Sequence, residues 1–322
     1  MLAITDERIL TGFERARNRV VTLRANTLKT DAGTVAAALD HAGIAYERVP
    51  WYADAFVITE ERERAIWELD IYKTGSVYLQ SLSSMLPPLI LQPQAGKDIL
   101  DMCAAPGGKT SQIAALTHNA AHLTACEMSA PRAEKLAYNL EKLGVANVNV
   151  MRTDARRLDE FFSFDQILLD APCTGTGTFR AGDEKTERRI TPQLLAKVTK
   201  SQKALLDRAL TVLKPGGTLV YSTCSVLCEE NEDQVLAGLK RHSDCEIIPL
   251  ALSEATTASE DDASDDDCTP KPIVLTGADT GTFAIPDLRN TLPGTLTVAP
   301  TEYYEGFFVA AIRKKERTRG KR

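Results

Sequence analysis

Residues 98–110 read DILDMCAAPGGKT, and this stretch decides the fold that we expect. Residues 98–102 have the apolar pattern of a buried strand, and the loop after them reaches Gly107 and Gly108 before a helix begins. Glycines let the backbone approach a ligand closely, and a helix N-terminus offers free N–H groups. The spacing is not GxGxxG, and the GGKT ending lacks the upstream glycine of a P-loop. The stretch therefore predicts a ligand-binding turn, with a dinucleotide less favoured.

Strands and helices alternate from about residue 76 onward. The clearest helix is predicted over 129–143, with Ser129 as its cap, Pro131 near its first turn and Gly144 after its end. Such alternation predicts an α/β fold with a mostly parallel sheet, helices on both faces, and ligands beyond the carboxyl ends of the strands. The predicted strands are residues 98–102, 122–128, 148–152, 164–170 and 218–222, with a closing strand at 307–312.

The first 75 residues predict a separate small α/β unit. Its pattern contains a helix over 34–42 and strands over 20–24, 44–49 and 56–59. A structural cap on the larger domain and an RNA-contacting module both fit this pattern. We therefore divide the chain into a small domain at 1–75, a larger domain at 76–312 and a tail at 313–322.

Charge is unevenly distributed along the chain. The formal net charge is −6, but residues 254–267 carry seven acidic groups and no basic one. They lie in a polar segment, 252–272, which predicts a solvated loop insertion in the larger domain. The tail at 313–322 holds seven lysines and arginines and one glutamate. This distribution keeps a nucleic-acid partner open despite the acidic total.

The seven cysteines are odd in number and include no CxxC pair. This pattern favours a reduced, intracellular protein without disulfides and without a metal site. The N-terminus has no apolar run long enough for a signal peptide, and no stretch approaches membrane-spanning length. We therefore expect a cytoplasmic protein with no membrane partner. The sequence leaves the oligomeric state open, and a monomer is compatible with it.

Three acids follow three successive predicted strands. Glu127 falls where an acid binds ribose hydroxyls in doubly wound nucleotide sites, and Asp154 and Asp170 follow the next two strands. Any one of them alone would be interpreted as a capping or turn residue, but three in succession indicate a binding site. With the KPGG stretch at 214–217, the layout is typical of class I methyltransferases and favours S-adenosylmethionine over a nicotinamide cofactor.

Two cysteines follow strands in small polar surroundings. Cys173 lies in DAPCTGTG, residues 170–177, and Cys224 lies in YSTCS, residues 221–225. A lone cysteine is most often a small buried hydrophobe, which suits Cys126 and Cys245 better than this pair. Two such cysteines at the edge of one cleft predict covalent catalysis by an activated thiol.

Together these motifs resemble the NOP/Sun (NSUN) family of RNA cytosine-C5 methyltransferases. The resemblance covers nearly all of the chain, through LRANTLK, LQSLSSMLPP, MCAAPGGKT, DAPC, STCS and GFFVA. It implies a class I (Rossmann-like) methyltransferase sheet, a small RNA-recognition-like N-terminal domain, and an rRNA or tRNA substrate. The departures are Thr174, where serine is more usual, and the acidic insertion.

The resemblance also implies a role for each site residue. Cys224 would add to C6 of the cytosine and so make C5 nucleophilic. Cys173 would assist release of the product. Independently of the resemblance, the chemistry of the adduct favours an acid at N3 and N4 of the cytosine, and Asp170 lies in the right motif for that role. The methyl donor would be S-adenosylmethionine. Its pocket would be lined by Cys103, Ala104, Ala105, Pro106, Gly107, Gly108, Lys109, Glu127, Asp154 and Asp170.

Three other functions stand as alternatives. A DNA cytosine-C5 methyltransferase would use Cys173 as its nucleophile, and the presence of Cys224 argues against it. A non-catalytic RNA-binding or assembly factor would be expected to lack Cys224 or the glycine loop, and both are intact. A Rossmann oxidoreductase is disfavoured by the glycine pattern. For RNA binding, the sequence points to Arg24, Lys29 and the basic tail.

Overall fold

The computed structural model describes residues 4–253, 270–288 and 291–316. Within these residues, the N-terminal part forms a four-stranded antiparallel sheet with the order β2-β3-β1-β4. The small sheet continues past residue 75, because its last strand pairs with β1. Its strands are β1 (Val21–Ala25), β2 (Tyr46–Arg48), β3 (Ala55–Ile58) and β4 (Val77–Leu79).

The helices of this region pack in two directions. The region contains α1 (Glu7–Arg15), α2 (Ala32–His41), α3 (Glu63–Glu68) and α4 (Asp70–Lys73). Helix α2 packs on the small sheet, where Leu39 and Phe56 are fully buried in one core. Helix α1 instead contacts the larger part of the molecule, since Phe13 packs edge-to-face on Phe179 with ring centroids 5.1 Å apart. The first helix of the N-terminal region is therefore packed on the larger unit.

The larger part is built on a mostly parallel sheet. In the described residues its strand order is β10-β14-β9-β8-β5-β6-β7, with β13 paired to β14. Strand β14 is antiparallel to both of its neighbours in that order, and β5 to β9 are parallel. The strands of this sheet are β5 (Asp98–Asp101), β6 (His122–Cys126), β7 (Val148–Met151), β8 (Phe164–Asp170), β9 (Leu213–Thr223), β10 (Cys245–Ile248), β13 (Leu296–Val298) and β14 (Phe307–Lys314). Strands β11 (Leu250–Ser253) and β12 (Ile273–Thr276) pair in parallel as a separate two-stranded sheet.

Helices connect these strands and cover the sheet. They are α5 (Leu82–Leu91), α6 (Gly108–Leu116), α7 (Ala130–Lys142), α8 (Glu184–Arg189), α9 (Pro192–Val212) and α10 (Glu232–Arg241). The strand order reverses between β5 and β8, which is the switch point where open α/β sheets bind ligands. The predicted α/β class with a Rossmann-like methyltransferase sheet is confirmed.

Strand β9 differs from its prediction. It begins at Leu213 rather than 218, so the KPGG stretch at 214–217 lies within it. Lys214 Nζ donates to Asp98 Oδ2 at 3.0 Å and Asp165 Oδ2 at 2.9 Å. These contacts hold the stretch at the amino ends of β5 and β8, the edge opposite the expected ligand site.

Two predicted segments lie wholly or partly outside the described residues. The acidic run at 254–267 is outside them, and so are residues 317–322 of the tail. Arg313 and Lys314, which the sequence placed in the tail, belong to β14. In the part that the structure describes, no helix is long and apolar enough to cross a membrane, and no group of three or more His, Cys, Asp or Glu side chains is arranged to hold a metal ion.

Candidate active site

The loop between β5 and α6 forms one wall of the candidate site. Gly107 has φ +107°, in the left-handed region, and a Cβ there would lie 3.1 Å from the Leu136 side chain. The backbone conformation therefore favours glycine, and any larger residue would also press on the Leu136 side chain of α7. Helix α6 begins directly after it, at Gly108.

Asp101, at the end of β5, is a site residue that sequence reasoning missed. Its Oδ2 accepts a hydrogen bond from Thr110 Oγ1 at 2.7 Å, and its Oδ1 accepts from the Cys103 backbone N–H at 3.3 Å. Burial raises the pKa of Asp101 to about 6, against the effect of the Thr110 hydrogen bond. The available signal was its place as an acid at a strand end, the same signal that identified the other three.

A cavity of about 600 Å³ opens at the carboxyl ends of β5, β6, β8 and β9. Its volume is in the range of small-molecule sites. It brings together all three predicted acids and both predicted cysteines. The predicted residues that line it are Cys103, Ala105, Glu127, Asp154, Asp170, Cys173 and Cys224.

A second cavity of about 340 Å³ adjoins the first. Asp170 and Cys224 line both cavities and so stand at the boundary between them. The predicted residues Ala104, Pro106, Gly108 and Lys109 line the second cavity but not the first, and Gly107 lines neither. Further lining residues, which the sequence did not single out, are Tyr78, Ser81, Ser84, Glu305 and Phe307.

The two acids on the far side of the first cavity are held by nearby groups. Glu127 is 4% exposed, and its Oε1 accepts from the Ser129 backbone N–H at 2.8 Å. Its Oε2 lies 3.1 Å from the guanidinium of Arg132. Asp154, three residues after the end of β7, accepts from Arg156 Nε at 2.8 Å and from its Nη2 at 2.7 Å.

The Arg156 contacts decide the charge of Asp154. The hydrogen bond from Arg156 lowers the pKa of Asp154 below its ordinary value, against the effect of burial. Asp154 is therefore ionised at neutral pH and is an acceptor only. Neither Arg132 nor Arg156 was predicted from the sequence.

Cys173 and Cys224 come together from the loops after β8 and β9. Their Sγ atoms lie 3.1 Å apart, and both thiols are free. The hydrogen bond with Cys224 raises the pKa of Cys173 well above its ordinary value, and burial and the charge of Glu230 act in the same direction. Cys173 therefore keeps its proton at neutral pH, and the two thiols are within hydrogen-bond distance of each other.

Asp170 and Lys109 connect the two walls of the site. Asp170 Oδ2 accepts from Lys109 Nζ at 2.7 Å, and Asp170 Oδ1 accepts from Ser222 Oγ at 2.8 Å. Lys109 Nζ also donates to Ser84 Oγ at 2.7 Å. Burial works to lower the pKa of Lys109, but the Asp170 carboxylate outweighs it, and the net shift is upward. Lys109 is therefore charged, and its hydrogen bonds are stronger than those of a neutral donor.

Arg24 and Lys29, the two residues predicted to contact RNA, differ in exposure: Arg24 is buried and Lys29 is exposed. Arg24 is fully buried, and its guanidinium donates to Ser111 Oγ at 3.1 Å and Gln80 Oε1 at 3.3 Å. The expectation that Arg24 contacts RNA is therefore wrong, because this side chain joins β1 to α6. Lys29 Nζ donates to the backbone carbonyls of Thr74 and Lys142.

A third cavity, of about 190 Å³, continues from the second along the small sheet and α7. The two share Tyr78, Leu79 and Pro106. Lys135 and Lys142 line the third cavity, and Lys142 Nζ lies 4.4 Å from the ring centroid of Tyr72. Within the described residues, neither lysine forms an ion pair.

The strand order and the acids at the strand ends define a class I methyltransferase. The chain matches the family model described as 16S rRNA methyltransferase RsmB/F over residues 88–313, and it belongs to that family. The resemblance to the NOP/Sun methyltransferases is thereby confirmed.

Relatives and solved structures agree with this assignment. The chain is 35% identical over 299 residues to ribosomal RNA small subunit methyltransferase F of Shewanella amazonensis, covering 91% of this chain. It spans 58% of the length of that relative. A methyltransferase homolog protein from Pyrococcus horikoshii is 33% identical with a TM-score of 0.73, covering 95% of this chain and 90% of that one. NSun6 from Pyrococcus horikoshii with SFG, 21% identical, shares the fold with a TM-score of 0.73 over 97% of this chain and 94% of that one.

Proposed function

We propose that this chain methylates C5 of a cytosine in ribosomal RNA, with Cys224 as the covalent nucleophile and Cys173 assisting release. The observation that carries the proposal is the 3.1 Å contact between the two thiols. The pair lies at the edge of a cavity that also holds Glu127 and Asp154. A transfer RNA substrate is the alternative that the resemblance leaves open.

S-adenosylmethionine is the methyl donor, and one side of the first cavity fits it. When bound, it supplies an electrophilic methyl group. Glu127 has the position and the acceptor oxygens for ribose hydroxyls. Asp154, held ionised by Arg156, is an acceptor for an adenine amino group. The exposed side chain of Met128 offers an apolar surface between them and lines the same cavity.

The two cysteines supply what cytosine lacks. C5 of cytosine is a poor nucleophile, and addition of the Cys224 thiolate at C6 converts the ring into an enamine with a nucleophilic C5. After methylation solvent water accepts the C5 proton, the electrons of that C–H bond re-form the C5–C6 double bond, and the bond between C6 and the Cys224 sulfur breaks to release the thiolate. Cys173 retains its proton and is placed to donate a hydrogen bond to the departing thiolate.

The adjoining cavities support RNA as the substrate. A cytosine inside a helix cannot reach the strand ends, so it must be unstacked or already in a loop. The second cavity, which Asp170 and Cys224 border, offers space for such a base. From there the third cavity presents Tyr72, Lys135 and Lys142, and aromatic rings with unpaired cations suit a single strand.

Trapping of RNA on cysteine variants tests the covalent mechanism. We expect Cys224→Ala to abolish methylation, because it removes the thiolate that adds at C6 and so makes C5 nucleophilic. We expect Cys173→Ala to remain bonded to its RNA, which gives a slowly migrating band on a denaturing gel. The double variant should give no band. Cys228→Ala removes an exposed thiol and serves as the control with ordinary turnover.

Two outcomes would contradict the assignment. A covalent band from Cys224→Ala, with none from Cys173→Ala, would make Cys173 the nucleophile, as in the DNA enzymes. Reduced stability without trapped RNA would make the cysteines structural. Bisulfite sequencing of total RNA from cells with and without the gene then identifies the methylated cytosine, and a change confined to transfer RNA would contradict the ribosomal substrate.

A further inference from the structure

Glu230 is a buried carboxylate to which the methyl-transfer chemistry gives no role. Its side chain is fully buried, in the 3₁₀ turn before α10. Within the described residues, no cation forms an ion pair with it. A buried charge without a counter-ion is costly unless hydrogen bonds satisfy it. Its hydrogen-bond donors therefore show what holds it there.

Those donors come from both cysteine loops. Glu230 Oε1 accepts from the backbone N–H of Thr174 at 2.8 Å, and Oε2 accepts from the hydroxyls of Thr174 and Ser225. Thr174 directly follows Cys173, and Ser225 directly follows Cys224. One carboxylate thus binds the residue after each cysteine.

A third contact extends this arrangement to the other side of Cys173. Gln202 Nε2, on α9, donates to Glu230 Oε1 at 3.1 Å and to the Pro172 carbonyl at 3.0 Å. Pro172 precedes Cys173, so the residues on both sides of this cysteine are connected to the carboxylate. On the second loop, Tyr221 donates its hydroxyl to the Glu230 backbone carbonyl at 2.6 Å.

We propose that Glu230 is the positioning residue that holds Cys173 and Cys224 in contact. It does not line either cavity at the thiols and does not touch the reacting atoms. The proposal rests on the proposed function in one respect, which is that both thiols take part in the methylation reaction. A hydrogen-bond acceptor shared by two loops fixes the distance between them only while it accepts hydrogen bonds from both loops.

Disulfide formation between the two cysteines measures that separation directly. Under a mild thiol oxidant such as diamide, we expect the wild-type protein to form the Cys173–Cys224 bond readily, as followed by peptide mass spectrometry. Glu230→Ala should slow this reaction, and also kcat, by about tenfold or more, because small displacements at a reacting pair have large rate effects. KM for S-adenosylmethionine should stay within about twofold, since the contacts of Glu127 and Asp154 are elsewhere.

Two conservative variants separate positioning from folding. In Glu230→Gln the remaining carbonyl still accepts from the N–H donors and the hydroxyls can turn to accept, so both rates should stay near wild type. Glu230→Asp draws the carboxylate back by one methylene and should slow disulfide formation even where Glu230→Ala does not fold. Glu232→Gln is the matched control, because the Oε2 atom of this buried acid accepts no hydrogen bond from any described residue.

The proposal is overturned if folded Glu230→Ala or Glu230→Asp forms the disulfide at the wild-type rate. It is also overturned if Glu232→Gln slows the reaction as much as Glu230→Asp does. Oxidation requires neither RNA nor methyl transfer. Failure of the proposed methylation would therefore leave this result standing, and the reverse also holds.

Discussion

The two sides of the first cavity are built in different ways. On the cofactor side, Glu127 binds Ser129 and Asp154 binds Arg156, so each acid is held by a group two positions away in the chain. On the cysteine side the partners are distant. Lys109 and Asp170 are 61 positions apart, Cys173 and Cys224 are 51 apart, and Thr174 and Glu230 are 56 apart.

This difference separates local from global requirements. The contacts of the cofactor side form within single loops and need only the correct turn after β6 or β7. The cysteine side requires β8 and β9 in register, with Asp170 opposite Ser222, before its loops meet. Residues that act on the cysteine side should therefore affect kcat, and those on the cofactor side should affect affinity for S-adenosylmethionine.

Replacement of Lys109 by methionine should break the link between the two sides most strongly. The ammonium donates to both Asp170 and Ser84. Without it, the Asp170 carboxylate is free to move at the boundary of the two cavities. We expect kcat to fall by about 100-fold, as for a misplaced reacting group, with a much smaller change in KM for S-adenosylmethionine. Single-turnover methyl transfer to RNA measures this.

Lys214→Met is the matched control for that variant. Lys214 also bridges carboxylates, Asp98 and Asp165, but at the opposite edge of the same sheet. It should lower stability without a comparable loss of kcat. Equal losses of kcat in the two variants would show that Lys109 acts only through the fold.

The same division explains how much could be predicted from the sequence. Glu127 and Asp154 were found because an acid after a strand is a local pattern, and Cys173 and Cys224 because each lies in a distinctive short motif. The sheet followed from the alternation of strands and helices. That the two thiols meet, or that Glu230 binds both of their loops, depends on the pairing of β8 with β9 and was not visible in either motif.

Arg24 was given a functional contact that the structure does not support. A basic residue in a small N-terminal domain suggested an RNA contact, yet the side chain is fully buried between β1 and α6. Sequence gives the charge of an arginine but not the neighbours that cover it. Two further cations, Lys135 and Lys142, lie on α7 and were identified only once the third cavity was located.

Replacement of both of these lysines by alanine should separate RNA binding from methyl transfer, because neither lysine lines the first cavity. We expect RNA affinity to fall on the order of tenfold and the salt slope to decrease by about 1 per lysine, since phosphate contacts release counterions. The single-turnover rate constant for methyl transfer at saturating RNA should be unchanged. Fluorescence anisotropy with a labelled single-stranded RNA over a series of salt concentrations measures this.

The control for this variant is a second double replacement of lysine by alanine, which changes the net charge by the same amount. Lys97 and Lys240 are exposed and line none of the three cavities described above. Their double alanine variant should bind RNA with nearly the wild-type salt slope. If both double variants lose affinity equally, the effect comes from net charge rather than from the third cavity.

The smallest effect is expected for Asp154→Ala, on the locally built side. Loss of one acceptor should weaken S-adenosylmethionine binding about fivefold, the value of a single hydrogen bond of about 1 kcal/mol.

The pH dependence of this effect follows from the lowered pKa of Asp154, which the Arg156 hydrogen bond causes. Because the carboxylate stays ionised above its ordinary pKa, its contribution is fully present there and is lost only as pH falls through the lowered value. The ratio of wild-type to variant affinity should therefore be constant from about pH 8 to about pH 5 in isothermal titration calorimetry. Asp159→Ala, an exposed acid five residues further on, is the control and should bind as wild type does. A ratio that falls toward 1 already near pH 6 would mean that the Arg156 pair does not hold Asp154 ionised, and a large loss of kcat would mean that the two sides are not separate.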